Sequence, residues 1–194
     1  TFENVFVNHP RIVDALRAID DLLERGDGPS GSELEHSLDQ YCLLIVGGAG
    51  AGKTRLINRI KQLEQFAEDK SGLDGDIVPL IAMDMPDRVS EKSLVVEMCN
   101  AAGLKFSAKA TRNELARRLR DQLWKLKTRL IIIDEAHTLC EGMSEEMIAA
   151  MARCIKFLLN TCRVPIILVG EGPLAEIASY DALRRRTAGL IDIG

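Results

Sequence analysis

The segment Gly47-Gly48-Ala49-Gly50-Ala51-Gly52-Lys53-Thr54 constrains this chain more than any other. It fits G-x-x-x-x-G-K-[ST], and it lies between the apolar run Cys42 to Val46 and a stretch carrying Leu56, Ile57, Ile60, Leu63 and Phe66 on one helical face. A strand, a small-residue turn and a helix in that order gather backbone N–H groups and a helix N-terminus around one point, which makes an anion site. Small side chains let the backbone close around phosphates. Lys53 can then reach the β- and γ-phosphates, and the Thr54 hydroxyl can ligate Mg²⁺. The competing reading, a chance glycine-rich turn, has to meet the motif and its strand-to-helix context together. The expected ligand is ATP with Mg²⁺.

A second apolar run, Leu130 to Ile133, ends in Asp134 and Glu135. Downstream of a phosphate loop, such a strand supplies one carboxylate, Asp134, to hold Mg²⁺ directly or through water. The next carboxylate, Glu135, is then placed to orient and deprotonate an attacking water, which makes hydrolysis the expected reaction. An acidic helix cap after a buried strand is the plainer alternative. Asp134-Glu135-Ala136-His137 also spells the box of a helicase superfamily. Those enzymes need two lobes, and 194 residues leave room for one. His137 is therefore expected to be a local helix-start or contact residue.

Around these motifs, apolar runs alternate with amphipathic helices, the pattern of an α/β fold with a parallel sheet. Strands are expected at Cys42 to Val46, Ile77 to Met83, Leu130 to Ile133, Ile166 to Val169 and Leu190 to Ile193. Pro79 removes a ladder donor, so its strand belongs at a sheet edge. Pro10 opens a helix with Ile12, Val13, Leu16, Ile19 and Leu23 on one face, and Gly26 to Ser32 reads as a loop. Leu94, Val95, Met98 and Ala102 mark another helix, stopping at Gly103. Thr111 and Glu114 form a capping box, and Ser144 caps a helix running toward Asn160. One domain is expected: residues 1–40 as N-terminal helix and loop, 41–194 as the phosphate-loop core.

Nothing in the composition calls for a membrane or for metal-thiolate chemistry. No apolar run approaches the roughly 18 residues of a bilayer span, and no secretory signal is legible at the N-terminus, so the cytoplasm is the expected location. The five cysteines are scattered with no C-x-x-C pair, as buried free thiols would be. A net charge of −4 argues against DNA binding by the whole surface. Between Lys105 and Arg129, however, nine basic residues face only Glu114 and Asp121, although Arg117, Arg118 and Arg120 also suit the solvated side of a helix. After the run Val164 to Gly170 comes Arg184-Arg185-Arg186. Arginine is suited to stabilising charge on a transferred phosphoryl group, and a solvated basic turn is the alternative.

In this order the motifs resemble those of the TniB/TnsC-like AAA+ ATPases that regulate transposition. The likeness is carried by Asn8-His9-Pro10, Val78-Pro79-Leu80 with Met85-Pro86, Ile133 to Leu139, Ile155 to Asn160 leading to Pro165 and Gly170, and Leu183 with Arg185 and Arg186. It implies a five-stranded sheet of order 5-1-4-3-2 and a nucleotide site to which His9, Pro10 and Arg55 also contribute. An arginine finger at Arg185 or Arg186 would serve a neighbouring subunit. It further implies a homo-oligomeric ring or filament on double-stranded DNA, touched by Lys105, Lys109 and Arg112, and communication with a transposase and a target-selection protein. Two departures stand out. Glu171 occupies the place of a polar sensor residue, usually Thr, Ser or Asn. The sequence also ends at Gly194, before the helical lid and its sensor arginine, so the lid is expected to be missing. Another AAA+ branch, ExeA-like or origin-recognition-like, and a nucleotide-gated assembly module with negligible turnover remain open.

Overall fold

The computed structural model of the chain describes residues 10–26, 40–69, 76–86 and 88–194. Five strands, β1 (Cys42–Val46), β2 (Leu80–Asp84), β3 (Leu130–Asp134), β4 (Ile166–Gly170) and β5 (Thr187–Asp192), form one sheet in the order β2-β3-β4-β1-β5. This is the expected order 5-1-4-3-2 counted from the other edge. Every neighbouring pair is parallel, so all five carboxyl ends lie on one side. Central strands of a parallel sheet are covered on both faces. That is why β1 and β4 are buried at every position and can be written almost wholly in Leu, Ile and Val.

Among the described residues six α-helices accompany the sheet: α1 (Pro10–Gly26), α2 (Lys53–Lys61), α3 (Glu91–Ala101), α4 (Arg112–Lys125), α5 (Glu145–Cys162) and α6 (Asp181–Arg184). They sort by face. Ile12, Ala15, Ile19 and Leu22 of α1 and Leu56, Ile57 and Ile60 of α2 pack with Leu43, Ile45, Ile132, Ile167 and Val169. The alternate strand residues Cys42, Leu44, Ile131, Ile133, Ile166 and Leu168 face Leu94 and Met98 of α3, Leu115, Leu119 and Leu123 of α4, and Ile148, Met151, Ile155 and Leu158 of α5. The period of two along each strand thus feeds two separate cores. Each large aliphatic side chain so buried contributes about 1.5–3 kcal/mol. The capping box holds: Thr111 accepts from the Glu114 N–H at 3.3 Å, and the Glu114 carboxylate accepts from the Thr111 N–H at 2.8 Å. Ser90 and Ser93 form a second one at the start of α3.

Several boundaries differ from the sequence-based expectation. β2 begins at Leu80 rather than Ile77, because Pro79 has no N–H to enter the ladder; Ile77 instead makes a lone antiparallel bridge with Asp69. β2 nevertheless occupies the expected edge. β5 starts earlier, at Thr187, with a register shift opposite Cys42 and Leu43. The α2 helix stops at Lys61, and Phe66 reaches the core from a separate 3-10 turn, Glu64–Phe66. The α5 helix runs past Asn160 to Cys162, where Arg163 closes it at φ 56°. Residues 27–32 of the expected loop, together with Asn8 and His9, lie outside the described residues. Among the described residues no helix is long and apolar enough to cross a membrane.

Candidate functional site

The phosphate-loop candidate emerges from the carboxyl end of β1. Gly47 is buried there, and a Cβ on it would sit 2.9 Å from both Ala51 Cβ and Ile193 Cγ1, so only glycine fits without displacement. Its N–H donates to the Gly170 carbonyl at 3.1 Å, tying the loop to the end of β4. The turn is closed by the Ala51 N–H on the Gly48 carbonyl at 3.1 Å. Gly50 and Gly52 take φ of 79° and 95°, left-handed geometry in which a side chain would be strained. Lys53 begins α2 directly after Gly52, so the helix's unsatisfied first-turn N–H groups open onto the exposed arch Gly48, Ala49 and Gly50. Thr54 and Arg55 are exposed in that first turn, and Pro10 is exposed at the start of α1.

The Lys53 side chain is only 10% exposed. Its ammonium donates to the Gly47 carbonyl at 2.8 Å and the Gly48 carbonyl at 3.2 Å. A third oxygen, Glu171 Oε1, lies 3.7 Å away. Glu171 directly follows β4, and its place is set by Gly170: a Cβ on Gly170 would come within 2.7 Å of the His137 backbone nitrogen. One residue therefore holds together the phosphate loop, the end of β4 and the turn after β3.

At the end of β3, Asp134 is half-buried and its Oδ1 accepts from the Glu135 N–H at 2.9 Å. Burial pushes the Asp134 carboxyl above its ordinary value, and the charges of Glu135 and of Asp84 add to that; the Glu135 N–H and Lys53 pull the other way. Asp84 is its register partner on β2. Among the described residues no cluster of three or more carboxylates, histidines or cysteines forms a metal cage, which fits a cation held by one carboxylate and a hydroxyl and shared with phosphate oxygens; Asp134 and Thr54 are the side chains that would hold it. Glu135 is exposed and adopts φ 54°, ψ 26°, an uncommon conformation for a residue with a side chain. His137, in the 3-10 turn Ala136–Leu139, has Nδ1 3.6 Å from a Glu135 carboxylate oxygen and Nε2 3.6 Å from one of Glu141. Both separations are too long for hydrogen bonds, so the buried Nδ1 has no such partner among the described residues.

The arginines lie elsewhere. The Arg186 carbonyl accepts from the Cys42 N–H at 2.7 Å and Thr187 pairs with Cys42, so the cluster sits at the amino end of β1. The phosphate loop leaves the other end, about 13 Å away at roughly 3.3 Å per residue. Arg184 pairs with Asp181 at 3.2 Å, and Arg186 donates to the Gln40 carbonyl at 3.4 Å. Arg185 is exposed and, among the described residues, makes no ion pair. Lys105 and Lys109 are exposed on the segment between α3 and α4. Arg112 is not: it is ion-paired with Glu91 and its guanidinium lies 4.9 Å from the Phe157 ring centroid.

A family model described as "Bacterial TniB protein" matches residues 3–186. The chain belongs to the TniB family. No curated protein matches it. Among solved structures it is similar to Cdc6p from Pyrobaculum aerophilum, at 15% identity over 100% of this chain and 48% of that one, with a TM-score of 0.59. It is similar also to the ORC2 protein of Aeropyrum pernix, solved in ADPNP-ADP complexes, at 15% identity over 98% and 48%, TM-score 0.64. The ORC1 protein of the same organism, solved in complex with DNA, matches at 17% identity over 94% and 44%, TM-score 0.55. The TniB chain thus spans about half the length of these proteins, and they share with it the fold of AAA+ P-loop ATPases. In this family member the part sequence reasoning did not assign is the pair Gly170–Glu171, which the motifs mark only as the end of a strand and a departure from a polar sensor.

Proposed function

We propose that this TniB protein binds ATP with Mg²⁺ at Gly47–Thr54, hydrolyses it with Glu135, and uses nucleotide state to control its assembly on duplex DNA during transposition. The observation that carries the reading is that the Gly47–Lys53 loop, Asp134 and Glu135 all lie at the carboxyl ends of β1 and β3, on either side of β4, where parallel α/β sheets bind their ligands. Backbone N–H groups of the loop and the start of α2 bind the phosphates, and Lys53 adds a charge once its ammonium leaves the loop carbonyls. Mg²⁺, when bound, would draw charge from the phosphate oxygens. Asp134 fixes the far side of the site, and the exposed Glu135 carboxylate beside it takes a proton from water.

The distance between Arg185 and its own phosphate loop supports a finger offered to a second copy of the chain, and the Arg186 bond to Gln40 favours Arg185 for the part. A homo-oligomer, ring or filament, follows from that. Transposase and target-selection partners rest on family membership alone. For DNA, Lys105 and Lys109 remain the better contacts; replacing both by alanine flattens the salt dependence of duplex binding by about 0.9 per lost contact, read by anisotropy titrations at several salt concentrations. Arg112→Ala instead lowers thermal stability through its lost packing on Phe157.

Lys53→Ala and Glu135→Gln test the core of the reading. Nucleotide binding disappears in the first, whereas the second binds ATP, stops turning it over and accumulates as an assembled species on a sizing column. Wild-type turnover by Glu135→Gln would remove that carboxylate from the mechanism. Negligible turnover by the unaltered protein, with or without duplex, would leave a nucleotide-gated assembly module.

A further inference from the structure

Lys53 holds its positive charge against the phosphate loop, yet its ammonium already has oxygen neighbours. Two loop carbonyls take it at 2.8 and 3.2 Å, and the Glu171 carboxylate stands 3.7 Å away. With the Lys53 side chain 10% exposed and that of Glu171 42%, water screens the pair from one side only. The main chain that carries the carboxylate is fixed in place. Gly170, immediately before it, is wedged against the His137 backbone and bonded through its carbonyl to Gly47, so the main chain bearing Glu171 is pinned to the loop it faces.

We propose that Glu171 is a counter-charge built into the phosphate site, which weakens nucleotide binding and discriminates against the triphosphate relative to the diphosphate. The inference rests on the nucleotide-binding reading of Gly47–Thr54. Phosphate entering the loop must take the Lys53 ammonium from Glu171 and then lie beside the carboxylate left behind. A lysine at this place in the motif reaches the β- and γ-phosphates. The γ-phosphate adds further negative charge at the point where Glu171 waits, so the penalty grows from ADP to ATP. A neutral polar residue there would leave Lys53 available and repel nothing. Glu171 is on this account a specificity-determining residue: it holds the site biased toward the diphosphate until an added positive charge, from a cation or from an arginine of another copy, offsets it.

The test is the affinity of the purified protein for ATP and for ADP, by isothermal calorimetry in EDTA and again with Mg²⁺, for wild type, Glu171→Gln and Glu171→Asp. In EDTA, Glu171→Gln tightens ATP binding about tenfold, equivalent to roughly 1.4 kcal/mol, and ADP binding by no more than about threefold. The ATP-to-ADP affinity ratio therefore rises. Glu171→Asp, which keeps the charge, stays near wild type in that ratio, and Mg²⁺ narrows the gap between wild type and Glu171→Gln. A substitution that merely loosened the fold would change both nucleotides alike. Equal ratios in wild type and Glu171→Gln, or weaker ATP binding by Glu171→Gln, overturn the proposal while leaving the nucleotide site intact. If neither protein binds any nucleotide although both melt cooperatively, the reading of Gly47–Thr54 falls and this proposal falls with it.

Discussion

At the carboxyl ends of the strands Lys53, Asp134 and Gly170 are half-buried or buried and each is held by named neighbours, whereas at the amino end of β5 Arg185 extends into solvent with no ion pair among the described residues. The first region is finished within one chain. Its groups are pre-positioned, which suits a pocket that must receive phosphate without rearranging the core. The second region carries the same kind of chemistry, a cation suited to phosphate, but among the described residues it has no ion-pair partner. On the reading proposed above, half of the machinery is folded into place and the other half would be completed by a second copy.

That contrast can be broken most severely at Arg185. Its replacement by alanine is expected to lower hydrolysis by up to roughly 10³–10⁵-fold while nucleotide affinity of the isolated subunit holds. Arg186→Ala should mainly cost stability, through the lost bond to Gln40. Mixing Arg185→Ala with Lys53→Ala subunits should recover activity, since one supplies intact pockets and the other intact fingers; if assemblies form and no turnover returns, the two ends do not work across a subunit boundary.

A second substitution attacks the pinned end. Gly170→Ala puts a methyl 2.7 Å from the His137 nitrogen, and backbone has to move. We expect a loss of about 1–3 kcal/mol in urea unfolding, with turnover reduced because the loops bearing Lys53, Glu135 and Glu171 shift together. Normal stability would mean the contact relaxes easily and the pinning is illusory.

The smallest effect sharpens the comparison from the other direction. Glu135 holds φ 54° without being glycine, so Glu135→Gly should gain up to about 1 kcal/mol in the same assay while abolishing hydrolysis. A site that trades stability for function in this way is a positioned one. No gain would indicate that the turn is unstrained.

The pinned end was also the more legible one. Gly47–Thr54 and Leu130–Glu135 announce themselves because their chemistry is written in consecutive residues next to apolar runs, and the sheet order follows from the family those motifs resemble. What could not be read depends on distant pairing. The closeness of Glu171 to Lys53 exists only because β4 lies beside β1, in the register of Cys42 with Ile166 and Val46 with Gly170, 124 residues apart along the chain. The separate fates of Arg184, Arg185 and Arg186 are decided by Asp181 and Gln40, and adjacent identical residues carry no trace of that. Arg112 looked like one more surface charge in a basic stretch, yet Glu91 and Phe157 claim it, from helices the local charge pattern does not include.

The five cysteines, Cys42, Cys99, Cys140, Cys154 and Cys162, are all free and buried. Burial pushes four of these thiols up to about 11 and Cys162 to about 12, from 9.0 when free. At pH 8 the thiolate fraction of each is then on the order of one in a thousand or less. An alkylating reagent meets almost no nucleophile on the folded protein, so modification reports how often the molecule opens, and five reporters spread over both ends of the sheet turn that chemistry into a clock for unfolding. The same displacement has a direction in pH. Each thiol favours the folded state fully below about pH 9, where both forms keep the proton, and that contribution drains away as pH rises through 11 to 12, making strong alkali a route by which the core itself comes apart.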